Sequence, residues 1–282
     1  MSYLNMPLRK SVFSGEFYSS DAGALGAFIS KALEDADVKP GDAQDGCAYV
    51  SPHAGYEYSG KTAAYAYKAL SMNKPATGID TLVVVGPNHT GIGTPISVSA
   101  YDWETPLGIM RNDSELSKAI VDASGIAGFD ETAHQDEHSV EVQLPFIQHI
   151  GVAKRATFIC MGYQDIDTSK DLAGAISDAS NKLKRSIAVI ASSDFNHYEP
   201  QEIGEKKDRA LFERIERLEY AEFNSLVDNV GSSACGYGPI TVAMDYAKGV
   251  GCSKGVLLNY SNSGNATGDF SSVVDYASFA MV

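Results

Sequence analysis

The chain holds six histidines and four cysteines, and their positions single out a small set able to do chemistry. His53 stands in Pro52-His53-Ala54-Gly55-Tyr56, and His89 in Gly86-Pro87-Asn88-His89-Thr90-Gly91. His197 stands in Ser192-Ser193-Asp194-Phe195-Asn196-His197-Tyr198. Each follows an apolar run, and the prolines and glycines near it fix a tight turn. Neutral imidazole is the commonest transition-metal ligand, so His53 and His89 are candidate donors. Asp194 and His197, three apart, read as a further ligand pair or a carboxylate–histidine base. His138 and Glu141 share one helix face if helical, but Pro145 forces that helix to kink or begin later. They read as a supporting shell or a proton donor. Cys235 precedes Gly236-Tyr237-Gly238-Pro239, and Pro239 suits the first turn of a helix. A thiol there is lowered in pKa and can serve as ligand or nucleophile. His134 and His149 read as surface residues. Cys47 and Cys160 read as core packing and Cys252 as a turn residue, all of them reduced thiols.

The elements that must hold these side chains alternate along the chain. Cys47–Ser51, Leu82–Val85, Ala156–Met161 and Ile187–Ala191 are apolar runs that predict buried strands. Asp21 opens a helix, Asp113 or Ser114 another that Gly125 closes, and Thr168 a third. Residues 96–108 read as a hairpin excursion, and residues 203–230 as charged helix. Gly255–Tyr260 and Ser272–Met281 complete the strands. The alternation predicts one α/β domain over residues 1–282, with a central mixed, largely parallel sheet and helices on both faces. Three histidines then fall just past the carboxyl ends of buried strands, the edge where open α/β sheets bind ligands.

Composition excludes several classes. With 282 residues, 44% hydrophobic and 21% charged, the chain has material for a large core and is not a disordered or disulfide-scaffold type. The net charge of −14 disfavours phosphate backbones and anionic membranes, so no nucleic-acid or membrane partner is expected. Residues 1–10 lack the apolar core of a signal peptide, and no apolar run is long enough to span a membrane. The expectation is a cytoplasmic protein. No GxGxxG follows a strand and no GxxxxGK[ST] is present, which argues against nucleotide phosphates.

Taken together, several ordered motifs resemble the MEMO family, known in prokaryotes as AmmeMemoRadiSam system protein B. They run from Arg9 and Ser14-Gly15-Glu16-Phe17-Tyr18 through Pro52–Gly60, Gly86–His89 and Glu137-His138-Ser139-Val140-Glu141. They continue through Ser192–Tyr198 to Ala234-Cys235-Gly236 with Pro239. That family is similar in fold to the LigB-type class III extradiol dioxygenases, which are non-haem iron enzymes. The resemblance implies a pocket with His53, His89 and Cys235 in the metal-ligand positions. His197 then stands where those enzymes place their catalytic base, beside Asp194, with His138 as a third catalytic group. Glu141, Tyr56 and Asn88 are expected around them. Cys235 replaces the dioxygenase carboxylate, and a softer thiolate shifts preference toward copper, zinc or thiolate-bound iron. The implied cofactor is a transition metal ion, iron or copper foremost and zinc as a third option. The implied function is that of a metal-dependent oxidoreductase of unknown substrate. The alternatives are a non-catalytic module binding a peptide or anion between Tyr56, Tyr58, Tyr198 and Tyr237, or a metal-sequestration protein. A small-molecule or peptide ligand, a homodimer and, by family analogy, association with a radical-SAM protein are the expected partners.

Overall fold

A computed structural model describes residues 7–43, 45–73 and 78–282. Residues 1–6, part of the stretch judged unlike a signal peptide, lie outside it. The strands are β1 (Leu8–Arg9), β2 (Ala48–Ser51), β3 (Thr81–Pro87), β4 (Ile96–Val98), β5 (Asp102–Thr105) and β6 (Gly108–Asn112). They continue as β7 (Ala127–Phe129), β8 (Arg155–Met161), β9 (Ile187–Ser192), β10 (His197–Glu199), β11 (Gly255–Asn262) and β12 (Val273–Met281). The helices are α1 (Ala22–Asp35), α2 (Pro40–Ala43), α3 (Tyr56–Met72), α4 (Ser114–Ala123) and α5 (Leu144–Ile150). After them come α6 (Ile166–Leu183), α7 (Gln201–Glu216), α8 (Tyr220–Val230), α9 (Tyr237–Gly249) and α10 (Gly264–Thr267).

The strands form one sheet in the order β1-β5-β6-β8-β3-β9-β2-β12-β10, with β11 on β12 and β4 on β8 and β7. The run β6-β8-β3-β9-β2 is parallel, while β12 pairs antiparallel with β2, β10 and β11. The sheet is therefore mixed and largely parallel, flanked by helices. Successive side chains of a strand point to opposite faces, and the core divides accordingly. Val83, Val85, Val189 and Ala191 join a cluster with α4, α6, α7, α8 and α9. Leu82, Val84, Ala188 and Ile190, from the same strands, join a second cluster with α1, α3 and α5. Continuous apolar runs are what strands covered on both faces require.

Local signals hold with adjustments. Asp21 and Asp113 cap α1 and α4 through their carboxylates. The α6 helix begins earlier than Thr168, because the Asp165 carboxylate reaches the backbone N–H groups of both Asp167 and Thr168. Residues 203–230 divide into α7 and α8, broken at Leu218, whose φ is 51°. Pro145 sits in the first turn of α5, preceded by a 3₁₀ turn over Glu141–Gln143. His138 lies before that turn, so it and Glu141 share no helix face.

One expectation about burial fails. His134 is fully buried, not on the surface: its ring lies edge-on to Trp103 and its Nε2 is 3.2 Å from the Ser97 carbonyl. Burial holds its pKa down at about 4. Cys47, just before β2, and Cys252, in the turn after α9, lie side by side and both pack against the core. Cys160 is buried in β8, and His149 is exposed. No helix among the described residues is long and apolar enough to cross a membrane.

Candidate metal centre

In the sheet, β9 lies between β3 and β2, all three parallel. Their carboxyl ends are therefore neighbours and deliver His89, the Asp194–His197 loop and His53 to one edge. The segment around Ser139 crosses this edge. Its hydroxyl donates to the Pro87 carbonyl at the end of β3, and its carbonyl accepts from Ser192 Oγ at the end of β9. Gly86 permits the crossing, since a Cβ there would run into the Ser139 side chain. His138 is thereby held over the other two rings.

Donor atoms of His53, His89 and His138 all lie within 4.8 Å of one another. The ring centroids are 5.2 Å apart for His53 and His89, 5.2 Å for His53 and His138, and 4.7 Å for His89 and His138. His53 is buried, His138 half-buried, and His89 forms the exposed side. The hydrogen bonds fix how these rings face. Ser192 Oγ donates to the Ser139 carbonyl at 2.6 Å, so it accepts from His53 Nδ1 at 2.8 Å and from Gln143 Nε2 at 2.8 Å. His53 thus carries its proton on Nδ1, and Nε2 presents a lone pair. Glu137 Oε1 accepts from His89 Nδ1 at 3.0 Å, and His138 Nδ1 lies 3.4 Å from the same oxygen. Partners on Nδ1 leave Nε2 as the ligating atom, the outer arrangement of a metal-ligating imidazole.

Charge follows the same logic. Burial pulls the pKa of His53 well below the ordinary histidine value, and the His89 ring adds to this. Burial also lowers His138, to about 3, with His53 contributing. Burial works against charge on His89 as well, but the Glu137 hydrogen bond and charge raise its pKa overall. Burial would raise Glu137, yet the His89 hydrogen bond, the nearby imidazoles and the Ser139 N–H bring it to about 2. A carboxylate that stays ionised beside the Nδ1 atoms of both imidazoles makes them stronger donors once their Nε2 atoms are free of protons.

Cys235 stands at the edge of this group, with Sγ 3.2 Å from His53 Nε2. The Asp194 N–H points at the sulfur from 3.3 Å, and the Cys235 N–H donates to the Asp194 carbonyl. Burial and then the Asp194 charge push the thiol well above its usual pKa. The lowered pKa expected of a helix N-terminus is not what the structure shows, because Cys235 is enclosed beside a carboxylate.

The remaining site residues find varied places. The Asp194 carboxylate accepts from the His53 N–H at 2.8 Å and so anchors the His53 turn; it makes no hydrogen bond to His197. His197 lines the cavity with its Nδ1 buried and unpartnered. Asn88 shapes the His89 loop, its side-chain oxygen accepting from Thr90 and Gly91 and its Nδ2 donating to the Ile92 carbonyl. Glu141 does not reach the imidazoles. It binds Arg9 at 2.5 Å, the N–H groups of Val12 and Phe13, and the Tyr18 hydroxyl at 2.6 Å. This straps the segment before α1 onto the site and lays Phe17 against His138, centroids 4.6 Å apart. Tyr56 also stays outside, donating to the Val142 carbonyl and packing on Tyr18, Phe28 and Phe146. Glu137, Ser192 and Gln143 are the supporting groups to which sequence reasoning gave no role. The only signal for Glu137 is its place beside His138.

The three rings open into a cavity of about 840 Å³. Its walls include Phe17, Tyr58, Tyr198 and Tyr276, with His197 and Asp194 as polar groups; Tyr56 and Tyr237 are not among them. Tyr198, largely exposed, adopts a φ of 59°, a strained conformation for an aromatic residue.

Comparison with known proteins places this geometry in context. The sequence pattern of the family described as Memo-like protein matches residues 9–280. A MEMO1 family protein of Methanopyrus kandleri is 40% identical over 278 residues, 95% of this chain and 97% of that protein. One from Desulfurococcus amylolyticus is 43% identical over 282 residues, covering 96% and 98%. One from Methanocaldococcus jannaschii is 44% identical over 233 residues, covering 81% of each.

Proposed function

Since the chain belongs to the Memo-like protein family, we propose that it binds one transition metal ion, iron or copper, and acts as a metal-dependent oxidoreductase on a small molecule. The observation that carries this reading is the convergence of His53, His89 and His138 with their Nδ1 atoms turned to Ser192 and Glu137. Imidazoles gathered with their Nδ1 atoms held by the protein, and with Cys235 Sγ against one Nε2, make a donor set that suits such an ion. When bound, iron or copper supplies Lewis acidity and one-electron redox chemistry.

The chain's own residues do the rest. Cys235 donates only as a thiolate, so joining the imidazoles requires it to give up its proton. Phe17, Tyr58, Tyr198 and Tyr276 favour a ligand with a flat apolar face. His197, which lines the cavity, is the group that would take a proton from a hydroxyl of that ligand. Loading the purified chain anaerobically with iron or copper and measuring metal content tests the binding. His53→Ala with His89→Ala should lose the metal. Comparing His138→Ala with Cys235→Ser identifies the remaining donor.

A second reading, metal storage or handover without turnover, draws support from the exposed side of His89, where an ion can be reached from outside. Tight binding without oxygen uptake across a panel of small hydroxylated aromatics would favour it.

A further inference from the structure

Behind the cavity wall, six buried polar atoms have no hydrogen-bond partner among the described residues. They are Asn196 Nδ2, Asp208 Oδ1, Tyr260 Oη, Asn262 Oδ1 and both carboxylate oxygens of Asp275. They belong to one cluster. Asn262 and Asp275 are register partners on β11 and β12, and Asp208 reaches in from α7. Asp275 Oδ2 and Asn196 Nδ2 meet over Gly204, where a Cβ would strike both. Asp208 and Asp275 are each fully buried.

Among the described residues, no free cation answers these two carboxylates. On α7, Lys207 is paired with Glu199 of β10, and Arg209 is paired with Glu205 and lies over the Tyr260 ring. Glu199 and Glu205 add negative charge, and Tyr260 from β11 is a neutral phenol whose ionisation burial opposes. β10 also carries His197, whose ring faces the cavity. Two adjacent carboxylates out of reach of water cannot both ionise; one keeps its proton. Burial first, and then the facing carboxylate, raise Asp208, and burial raises Asp275.

We propose that Asp208 and Asp275 share a single proton at neutral pH and, as an acid–carboxylate pair, position the loop that presents His197 to the cavity. The loop is bonded to both members. The Asn196 N–H donates to Asp208 Oδ2 at 3.4 Å, the Asp275 N–H to the Asn196 carbonyl at 2.9 Å, and the Phe195 N–H to the Asp275 carbonyl at 2.8 Å. The next residue is His197, whose N–H donates to Ser233 Oγ. Losing the shared proton leaves two like charges facing each other where this loop is fastened. Because the folded pair holds a proton that the unfolded chain releases near the ordinary carboxylate pKa, its stabilisation is present at low pH and is lost as pH rises. None of this depends on whether the cavity holds a metal.

The Asn196 amide reports the charge on Asp208 directly, so amide nuclear magnetic resonance of the full, isotope-labelled chain tests the pair. Wild type should show one alkaline transition at Asn196, followed at His197, with a melting temperature that falls as pH rises toward that transition and levels off beyond it. Asp208→Asn, which has no proton to lose, should remove the amide transition and flatten the fall; Asp275→Asn should do the same. An Asn196 amide that stays fixed as pH rises above neutral in wild type overturns the proposal, even if neither variant folds. So does an alkaline transition that persists in Asp208→Asn. Stabilisation of wild type but not Asp208→Asn by calcium or magnesium ions also overturns it, since a cation would then bridge the carboxylates instead.

Discussion

Glu137 is the residue on which two of the gathered rings depend, since one carboxylate oxygen faces the Nδ1 atoms of both His89 and His138. Glu137→Gln keeps the shape and removes the charge. It should weaken metal binding by about 10–100-fold, the usual effect of losing such a supporting group, measured by competition with a chelator. Ser192→Ala removes the acceptor for His53 Nδ1 and should weaken binding in the same direction. The sequence made the histidines themselves legible, because Pro and Gly turns after apolar runs are visible in one dimension. It could not assign their supports. Glu137 and Glu141 flank the same His-Ser-Val, and only the fold shows that the first turns to the imidazoles and the second to Arg9, 132 residues away. Asp194, read as a base's partner, instead holds a backbone N–H on the His53 turn.

At the level of elements, the strap before α1 and the loop before α9 frame the cavity from two sides. Arg9 and Glu141 form a buried ion pair, with Val12, Phe13 and Tyr18 completing the carboxylate's hydrogen bonds. Glu141→Ala leaves a buried guanidinium unpaired and should cost about 3–5 kcal/mol in denaturant unfolding. It should also release Phe17 from His138. The strap was the least foreseeable element, because its partner is a 3₁₀ turn far along the chain and β1 is only two residues long. At Gly236 a Cβ would run into the Ser192 carbonyl and the Ser193 side chain. Gly236→Ala should therefore displace Cys235, lower stability by about 1–3 kcal/mol and reduce metal affinity, read by unfolding and metal titration. The strands were legible as β-rich apolar runs bounded by turns, whereas the start of α6 was misplaced because two capping side chains, Asp165 and Thr168, stand close together.

For the molecule as a whole, the parallel run β3-β9-β2 makes three distant stretches of sequence converge. Alternation of strands and helices foretold the sheet; the strand order, which brings these ends together, followed only from the tertiary pairing. Both cores share the strands of one sheet, so unfolding should be a single cooperative transition. A metal that binds only the folded chain should raise its stability by about 2.7 kcal/mol at a free concentration about 100 times its Kd. His53→Ala with His89→Ala should abolish that gain. The central claim is that the three gathered imidazoles form a metal site, and elemental analysis of the anaerobically loaded, desalted chain tests it most directly. The account expects close to one equivalent of iron or copper in wild type and almost none in His53→Ala/His89→Ala. Wild type that retains no metal, or a double variant that retains as much, would contradict it.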